Sequence, residues 1–411
     1  MLDFLRKSNQ QAFYRNFRGK KRQQTNINPS VFYEHFKNIA HAMNASEKST
    51  DCIDADPVFE ELDCPITEKE LVDAIKRLKK EKSHGTDLLI NEYFIEFKDY
   101  LVPFILRLFN RIFSSGFFPN MWAQCIIIPV FKKGDALDPN NYRGISLVSC
   151  FCKLFTSILN QRLLAWSDAN DVITDAQFGF QPKRGTAEAI FSLSNIINMS
   201  IRKKKRLYCC FVDFKKAFDT VERLKLWEKL SNVGIRGKLL NFIRSMYNNM
   251  KSCVNSAGKL SEFFKNNKGL LQGEVLSPIL FSLYVNDFEM EFLCKGNIPI
   301  QIQELNLFVL MYADDMVIFS ETAHELQEML NTLYSYTSVW DLTVNVQKTK
   351  IVIFRNGGKI HNCERWHLNG EPIEVVDSFI YLGLLLQYNG KFNNTQKQLA
   401  SQGRKAMFSL K

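Results

Sequence analysis

Apolar and polar positions alternate along this chain with two different periods. In ITEKELVDAIKRLKKEKSHGTD, Leu71, Ala74, Ile75 and Leu78 recur at helical spacing, Thr67 and Glu70 resemble a capping box, and Gly85 is expected to end the run. Helices are expected to dominate from there to about residue 120. CIIIPVF (Cys125 to Phe131) then reads as a short strand, followed by a polar loop, KKGDALDPNNYRG, and a helix from about Ser149 to Trp166. RLYCCFVDF is a second strand with Asp213 near its far end, and Val221 to Met250 returns to helical spacing. After a central hairpin, LFVLMYADDMVIF, come a helix from about His324 to Trp340 and two more strands, KIVIF and SFIYLGLLL. The last residues, QKQLASQGRKAMFSLK, read as a helix cut off by the chain end. This order of elements predicts a mixed α+β fold rather than alternating βαβ units.

The central hairpin carries a chemical problem. Asp314 and Asp315 sit side by side between two apolar runs. Burying one unpaired carboxylate is costly and two adjacent ones repel, so they either face solvent at a turn or share a cation. Asp213 shifts the balance, because it too closes an apolar strand, CCFV. Pairing that strand beside the hairpin would bring Asp213, Asp314 and Asp315 to one sheet edge. Three converging carboxylates do not all stay ionised without cations, and magnesium, a hard ion that prefers oxygen, answers that need. Two such ions roughly 3.5–4 Å apart clamp the attacking and departing oxygens of an in-line phosphoryl displacement. Nucleotidyl transfer is the expected reaction.

Bulk properties agree with a polyanionic partner. The formal charge is +10 and the pI about 9.0, while 46% hydrophobic and 23% charged residues exclude a largely disordered chain. Ten cysteines show no Cys-x-x-Cys spacing and are read as reduced core thiols. The first residues lack the apolar segment of a signal peptide and charge interrupts every long apolar run, which predicts an intracellular, soluble protein with no membrane span. Two basic runs, RGKKR (Arg18 to Arg22) and IRKKKR (Ile201 to Arg206), suit phosphate tracking, nuclear import or a solvated face. Oligomeric state is left open.

Beyond the carboxylates, several ordered blocks between about residues 67 and 385 resemble the reverse transcriptases of non-LTR (LINE-type) retrotransposons. SHGTD is similar to the family's Ser-Pro-Gly-x-Asp element, with His84 in place of proline. NYRGISL resembles the fingers block, AQFGFQPKRGT the Gln-x-Gly-Phe-x-x-x-Arg block, and FVDFKKAFDTV the first palm motif. GLLQGEVLSP, YADD, NVQKTK and YLG resemble the Gln-Gly motif, the palm hairpin, a later palm motif and the primer-grip turn.

The resemblance implies a right-hand polymerase: a lead-in over 1–66, fingers over 67–206, a palm with an antiparallel sheet over 207–385, and the start of a partial thumb over 386–411. It implies RNA-directed DNA synthesis, with Asp213, Asp314 and Asp315 holding two Mg2+ ions, for which Mn2+ could substitute, and with an RNA template, a DNA primer and dNTPs as partners. Phe218 matches the aromatic beneath the incoming sugar that favours dNTP over rNTP. Arg143, with Lys132 or Lys133, would contact the triphosphate; Gln272 and Gly273 would border the nascent base pair; Lys348 matches a lysine that protonates pyrophosphate. Taken alone, Arg143 would be a surface or salt-bridging side chain, Phe218 a core residue, Gly273 a turn and Lys348 a solvated strand edge. Asp219, with Glu222 three residues on, is read as a helix N-cap rather than a ligand. Two rival readings remain: a decayed or domesticated relic that binds RNA without polymerising, and a mobile-intron maturase, which should carry a splicing region after the thumb.

Overall fold

The computed structural model describes residues 27–41, 59–302, 305–361 and 364–408. The RGKKR run, Cys52 and Cys363 lie outside them. The fold is mixed α+β, built among the described residues on two larger sheets and two two-stranded ones with helices packed around them.

The first sheet begins with an antiparallel pair, Gln124–Phe131 and Tyr142–Val148, in which Val130 faces Arg143. The second of these strands includes Tyr142, Arg143 and Gly144, which sequence places in a polar loop. Gly144 hides the pattern: a Cβ there would meet the Phe36 ring at 2.6 Å, so a glycine stands where the helix Pro29–Ala40 lies against the sheet. Strand Lys251–Ser256 pairs in parallel with Gln124–Phe131, so the chain returns to this sheet from much further on. Phe32, Phe36 and Ala40 pack there on Ile127, Tyr142, Val254 and Phe264.

Beside that sheet lies a layer of helices that includes Glu68–Arg77, Lys98–Ser115 and Cys150–Ala169. The Thr67/Glu70 capping box forms as read. The helix stops at Leu78, however, rather than running to Gly85. Residues 79–82 are all charged, so the next turn would have no apolar side chain to bury. Gly85 instead permits a close approach. A Cβ on it would stand 2.7 Å from the backbone of Val148 and Ser149, and Ser149 Oγ donates to Asp87 Oδ2 at 2.6 Å. SHGTD thereby docks on the start of the Cys150–Ala169 helix.

The second sheet has six strands in the order Trp366–Leu368, Glu371–Val375, Lys350–Phe354, Leu207–Val212, Asp315–Ser320, Val309–Tyr312. All neighbours are antiparallel except Lys350–Phe354 with Glu371–Val375. Leu207–Val212 is buried at every position because both faces are covered. Leu207, Cys209 and Phe211 meet Leu193, Ile196 and Ile197 of the helix Thr186–Arg202, while Tyr208, Cys210 and Val212 join the larger core with Leu280 and Leu330. SFIYLGLLL forms a hairpin rather than one strand: Ser378–Tyr381 and Leu384–Gln387 pair across a turn in which Leu382 and Gly383 take φ of 47° and 87°.

Six cysteines of the described residues are buried thiols, as expected, but Cys64 and Cys294 are exposed. No helix among the described residues is long and apolar enough to cross a membrane.

Candidate active site

Strand register sets the carboxylates. Val212 faces Met316 across the antiparallel pair, so the next positions, Asp213 and Asp315, stand opposite each other at the end of these two interior strands. Asp314 lies between them and the first hairpin strand, in the two-residue turn that joins Tyr312 to Asp315. Burial raises the pKa of Asp314, with Asp213 adding to the effect against Arg143 and Lys132. Burial, then Asp314, then Asp213 push Asp315 up to about 6, partly countered by Arg143. The three acids thus feel one another, although 101 positions separate Asp213 from Asp314.

Asp213 and Asp315 line a cavity of about 580 Å³ together with Lys133, Lys348, Phe379, Ile380 and Tyr381. The Lys348 amine stands 3.9 Å from Asp213 Oδ2, on the exposed side of the cleft. Asp213 is fixed through its backbone: its N–H donates to Thr349 Oγ1 at 3.2 Å and its carbonyl accepts the Asn345 N–H at 2.7 Å.

Among the described residues no group of three or more His, Cys, Asp or Glu side chains is arranged to hold a metal ion. A hard divalent cation such as magnesium fits the donor set that is present. It commonly takes only one or two protein carboxylates and completes its shell with water and substrate phosphates.

Lys132 and Arg143 lie near each other at the loop end of the hairpin Gln124–Phe131/Tyr142–Val148, where the Lys132 N–H donates to the Asn141 carbonyl at 2.9 Å. Burial lowers the Lys132 pKa, as do Arg143 and Lys348, against the pull of Asp219 and Asp314.

Phe218 stacks on Phe281 at 4.6 Å between ring centroids, and the half-exposed Phe180 meets it edge-on at 6.5 Å. It is therefore anchored on one face without being sealed in. The Gln272 carbonyl accepts the Ser146 N–H at 2.7 Å, which ties this loop to the strand bearing Arg143. Gly273 has φ of 103°, and a Cβ there would meet the Ser146 carbonyl oxygen at 3.1 Å, so both conformation and space call for glycine.

Two side chains carry more than their sequence context suggests. Gln177, buried in the AQFGF block, accepts the backbone N–H groups of Gly179 at 2.8 Å and Ala313 at 3.0 Å through Oε1. Ala313 holds a left-handed φ of 58°. The same block brackets the hairpin through Phe178 N–H to Met311 O and Met311 N–H to Ala176 O, both 2.8 Å. Asp219 is not an N-cap. It lies inside the short helix Ala217–Thr220, the following helix begins at Arg223 without a side-chain cap, and Asp219 Oδ2 accepts from Gln272 Nε2 at 3.1 Å. Spacing to Glu222 suggested a cap because a local pairing is visible in sequence, whereas a partner 53 positions away is not.

Residues 130–386 match the model of the family described as reverse transcriptase (RNA-dependent DNA polymerase). This chain belongs to the reverse transcriptase family. Its relatives include the RNA-directed DNA polymerase from mobile element jockey of Drosophila funebris, 28% identical over 329 residues that span 78% of this chain and 35% of the relative. Another is the probable RNA-directed DNA polymerase from transposon BS of Drosophila melanogaster, 29% identical over 69% of this chain and 32% of the relative. The resemblance to non-LTR retrotransposon reverse transcriptases and the mixed α+β class thus hold. The chain spans about a third of the length of these relatives. Among solved structures, apo telomerase from Candida tropicalis is similar over 76% of this chain and 63% of its own, at 15% identity and a TM-score of 0.46.

Proposed function

We propose that this reverse transcriptase chain extends a DNA primer on an RNA template, joining dNTPs to the primer 3′-hydroxyl. The observation that carries this reading is the placement of Asp213 opposite Asp315 across paired strands, with Asp314 in the adjoining turn, at the edge of an open cavity. In this reading residues 67–206 are the fingers, 207–385 the palm, and 386 onward the start of the thumb. Asp213, Asp314 and Asp315 hold magnesium, with manganese as a substitute. When bound, these ions supply charge stabilisation at the attacking and departing oxygens.

The chain's own residues do the rest. Arg143, Lys132 and Lys133 bind the triphosphate through charge-assisted hydrogen bonds. Phe218 sits under the sugar and leaves no room for a 2′-hydroxyl, and Gln272 and Gly273 border the new base pair. Lys348 Nζ, already beside Asp213, donates a proton to the departing pyrophosphate. The cavity wall of Phe379, Ile380 and Tyr381 takes the primer end. Nuclear action suits such a protein, and the Arg202–Arg206 end of the basic run offers an import signal.

Primer extension on a primed RNA template, with and without magnesium, tests the reading. Asp213→Asn and Asp314→Asn should each abolish incorporation while leaving thermal melting and RNA retention on a filter unchanged. Normal extension by either variant would remove the assignment, and a wild-type protein that retains RNA yet never extends it would favour the non-catalytic relic.

A further inference from the structure

Asp219 sits in the candidate site without a part in the reaction just described. Its backbone is held from three directions. The Asp219 N–H donates to the Lys216 carbonyl at 2.8 Å, and on either side Leu270 N–H donates to Phe218 O at 2.7 Å and Gly269 N–H to Val221 O at 3.0 Å. Gly269, at φ of 79°, lies so close that a Cβ would stand 2.5 Å from the Asp219 carbonyl oxygen. The segment 218–221 and the segment 269–270 are therefore locked face to face, and the Asp219 side chain has little freedom in where it aims.

It aims at the Gln272 carboxamide, whose Nε2 donates to Asp219 Oδ2 at 3.1 Å. An ionised carboxylate only accepts hydrogen bonds, while a carboxamide carries a donor and an acceptor that look alike in shape. Contact with Asp219 therefore fixes which end of the Gln272 amide turns inward: the NH2 group goes to Asp219, and Oε1 is left on the opposite side. Burial raises the Asp219 pKa to about 6 against Lys216, the Gln272 hydrogen bond, Lys132 and Arg143, which leaves the carboxylate ionised at neutral pH. A small cavity lined by Gly144, Ser146, Asp219, Lys268 and Gln272 adjoins the pair.

We infer that Asp219 is a positioning residue for nucleotide binding: it holds the Gln272 carboxamide in one orientation, so that its oxygen rather than its NH2 group is presented to the incoming nucleotide. This inference rests on the polymerase reading and deepens it. Asp219 acts through Gln272 and touches no reacting atom.

Three variants test it, read by steady-state extension and by dNTP binding to the protein on an RNA template whose primer ends in a dideoxynucleotide. Asp219→Ala should raise the KM and the Kd for dNTP about tenfold with kcat changed less than about threefold, the loss expected when one fixed hydrogen-bond partner disappears. Asp219→Asn offers a donor as well as an acceptor, so it no longer dictates which end of the Gln272 amide turns inward and should lose about as much as Asp219→Ala. The double variant Asp219→Ala/Gln272→Ala should be no weaker than Gln272→Ala alone. Wild-type dNTP affinity in Asp219→Asn would show that an acceptor-only side chain is not what sets the Gln272 amide, and multiplying losses in the double variant would show that Asp219 works independently of Gln272; either result overturns the inference. The two readings fail differently. Active wild-type protein with unchanged dNTP affinity in Asp219→Ala overturns the inference alone, inactive wild-type protein that still binds dNTP overturns only the catalytic reading, and wild-type protein that does neither overturns both.

Discussion

Gln177 Oε1 accepts the backbone N–H of Ala313 at 3.0 Å, across 136 positions of sequence. The turn it holds bears Asp314, and Ala313 stands there in a conformation that costs an L-residue roughly 1–2 kcal/mol. Gln177→Leu leaves the N–H groups of Gly179 and Ala313 buried without acceptors, at a cost of about 1–3 kcal/mol each. The variant should unfold at lower urea concentration, and its kcat should fall at least tenfold (about 1.4 kcal/mol in barrier) as the turn loosens. Native stability with native kcat would show that the turn holds itself.

Gly179 gives a steric version of the same test. A Cβ there would stand 2.3 Å from the Ala313 nitrogen, a backbone atom that has no room to yield. Gly179→Ala should destabilise the protein by about 2 kcal/mol or more. Gly403→Ala, on an exposed helical position with nothing within 4 Å, should instead stabilise by about 0.5–1 kcal/mol. Thermal melts of the two side by side distinguish a local clash from a general effect of added methyl groups.

Phe218 is anchored on Phe281 and open on its other side. In the proposed mode the incoming sugar lies against Phe218, so Phe218→Val should lower the preference for dNTP over rNTP, taken as a ratio of kcat/KM, by about tenfold or more. Competition between dCTP and CTP on one template measures it. Unchanged discrimination would place the sugar elsewhere.

Arg162 gathers five acceptors: both oxygens of Glu70 at 2.6 and 2.9 Å, and the carbonyls of Leu62, Cys64 and Pro65. Burial alone would raise the Glu70 pKa, but the Arg162 and Thr67 hydrogen bonds outweigh it and hold it at about 2. Breaking a buried pair costs about 3–5 kcal/mol, and the partial exposure of Glu70 brings the expectation for Arg162→Ala to about 2–3 kcal/mol. Denaturant titration of the variant checks that figure.

His35, on the helix Pro29–Ala40, has its pKa lowered to about 4 from 6.5 by burial and by Lys216, against a smaller pull from Asp138. Between pH 6.5 and 4 the unfolded chain binds the proton and the folded one does not, so stability rises with pH across that window and is lost on acidification. His35→Gln should flatten this slope. Melting temperatures at about pH 4.5 and about pH 7 for both proteins give the comparison.

Much of this site was legible because its signals are local. Thr67 and Glu70 are three residues apart, and each carboxylate closes an apolar run that betrays its strand. What escaped depends on distance or on shape. Tyr142–Val148 is a strand whose glycine is explained only by the Phe36 ring, and Asp219 has a local decoy in Glu222 and its real partner in Gln272. SFIYLGLLL reads as one strand from its apolar run, and only the resemblance of YLG to the primer-grip turn marks the break at the left-handed Leu382 and Gly383. Gln177 lay inside a recognised block, yet the amide it receives from the hairpin reaches it only once the two segments meet.

The helix Pro29–Ala40 lies well ahead of the stretch that matches the family, yet Phe36, Ile39 and Ala40 share a cavity wall with Asp219 and Gln272. A version of the protein trimmed to its recognisable stretch would strip Ile127, Tyr142, Val254 and Phe264 of their cover and leave a greasy, adhesive patch a short step from Asp219 and Gln272. Expression boundaries for this chain are better drawn from packing than from homology.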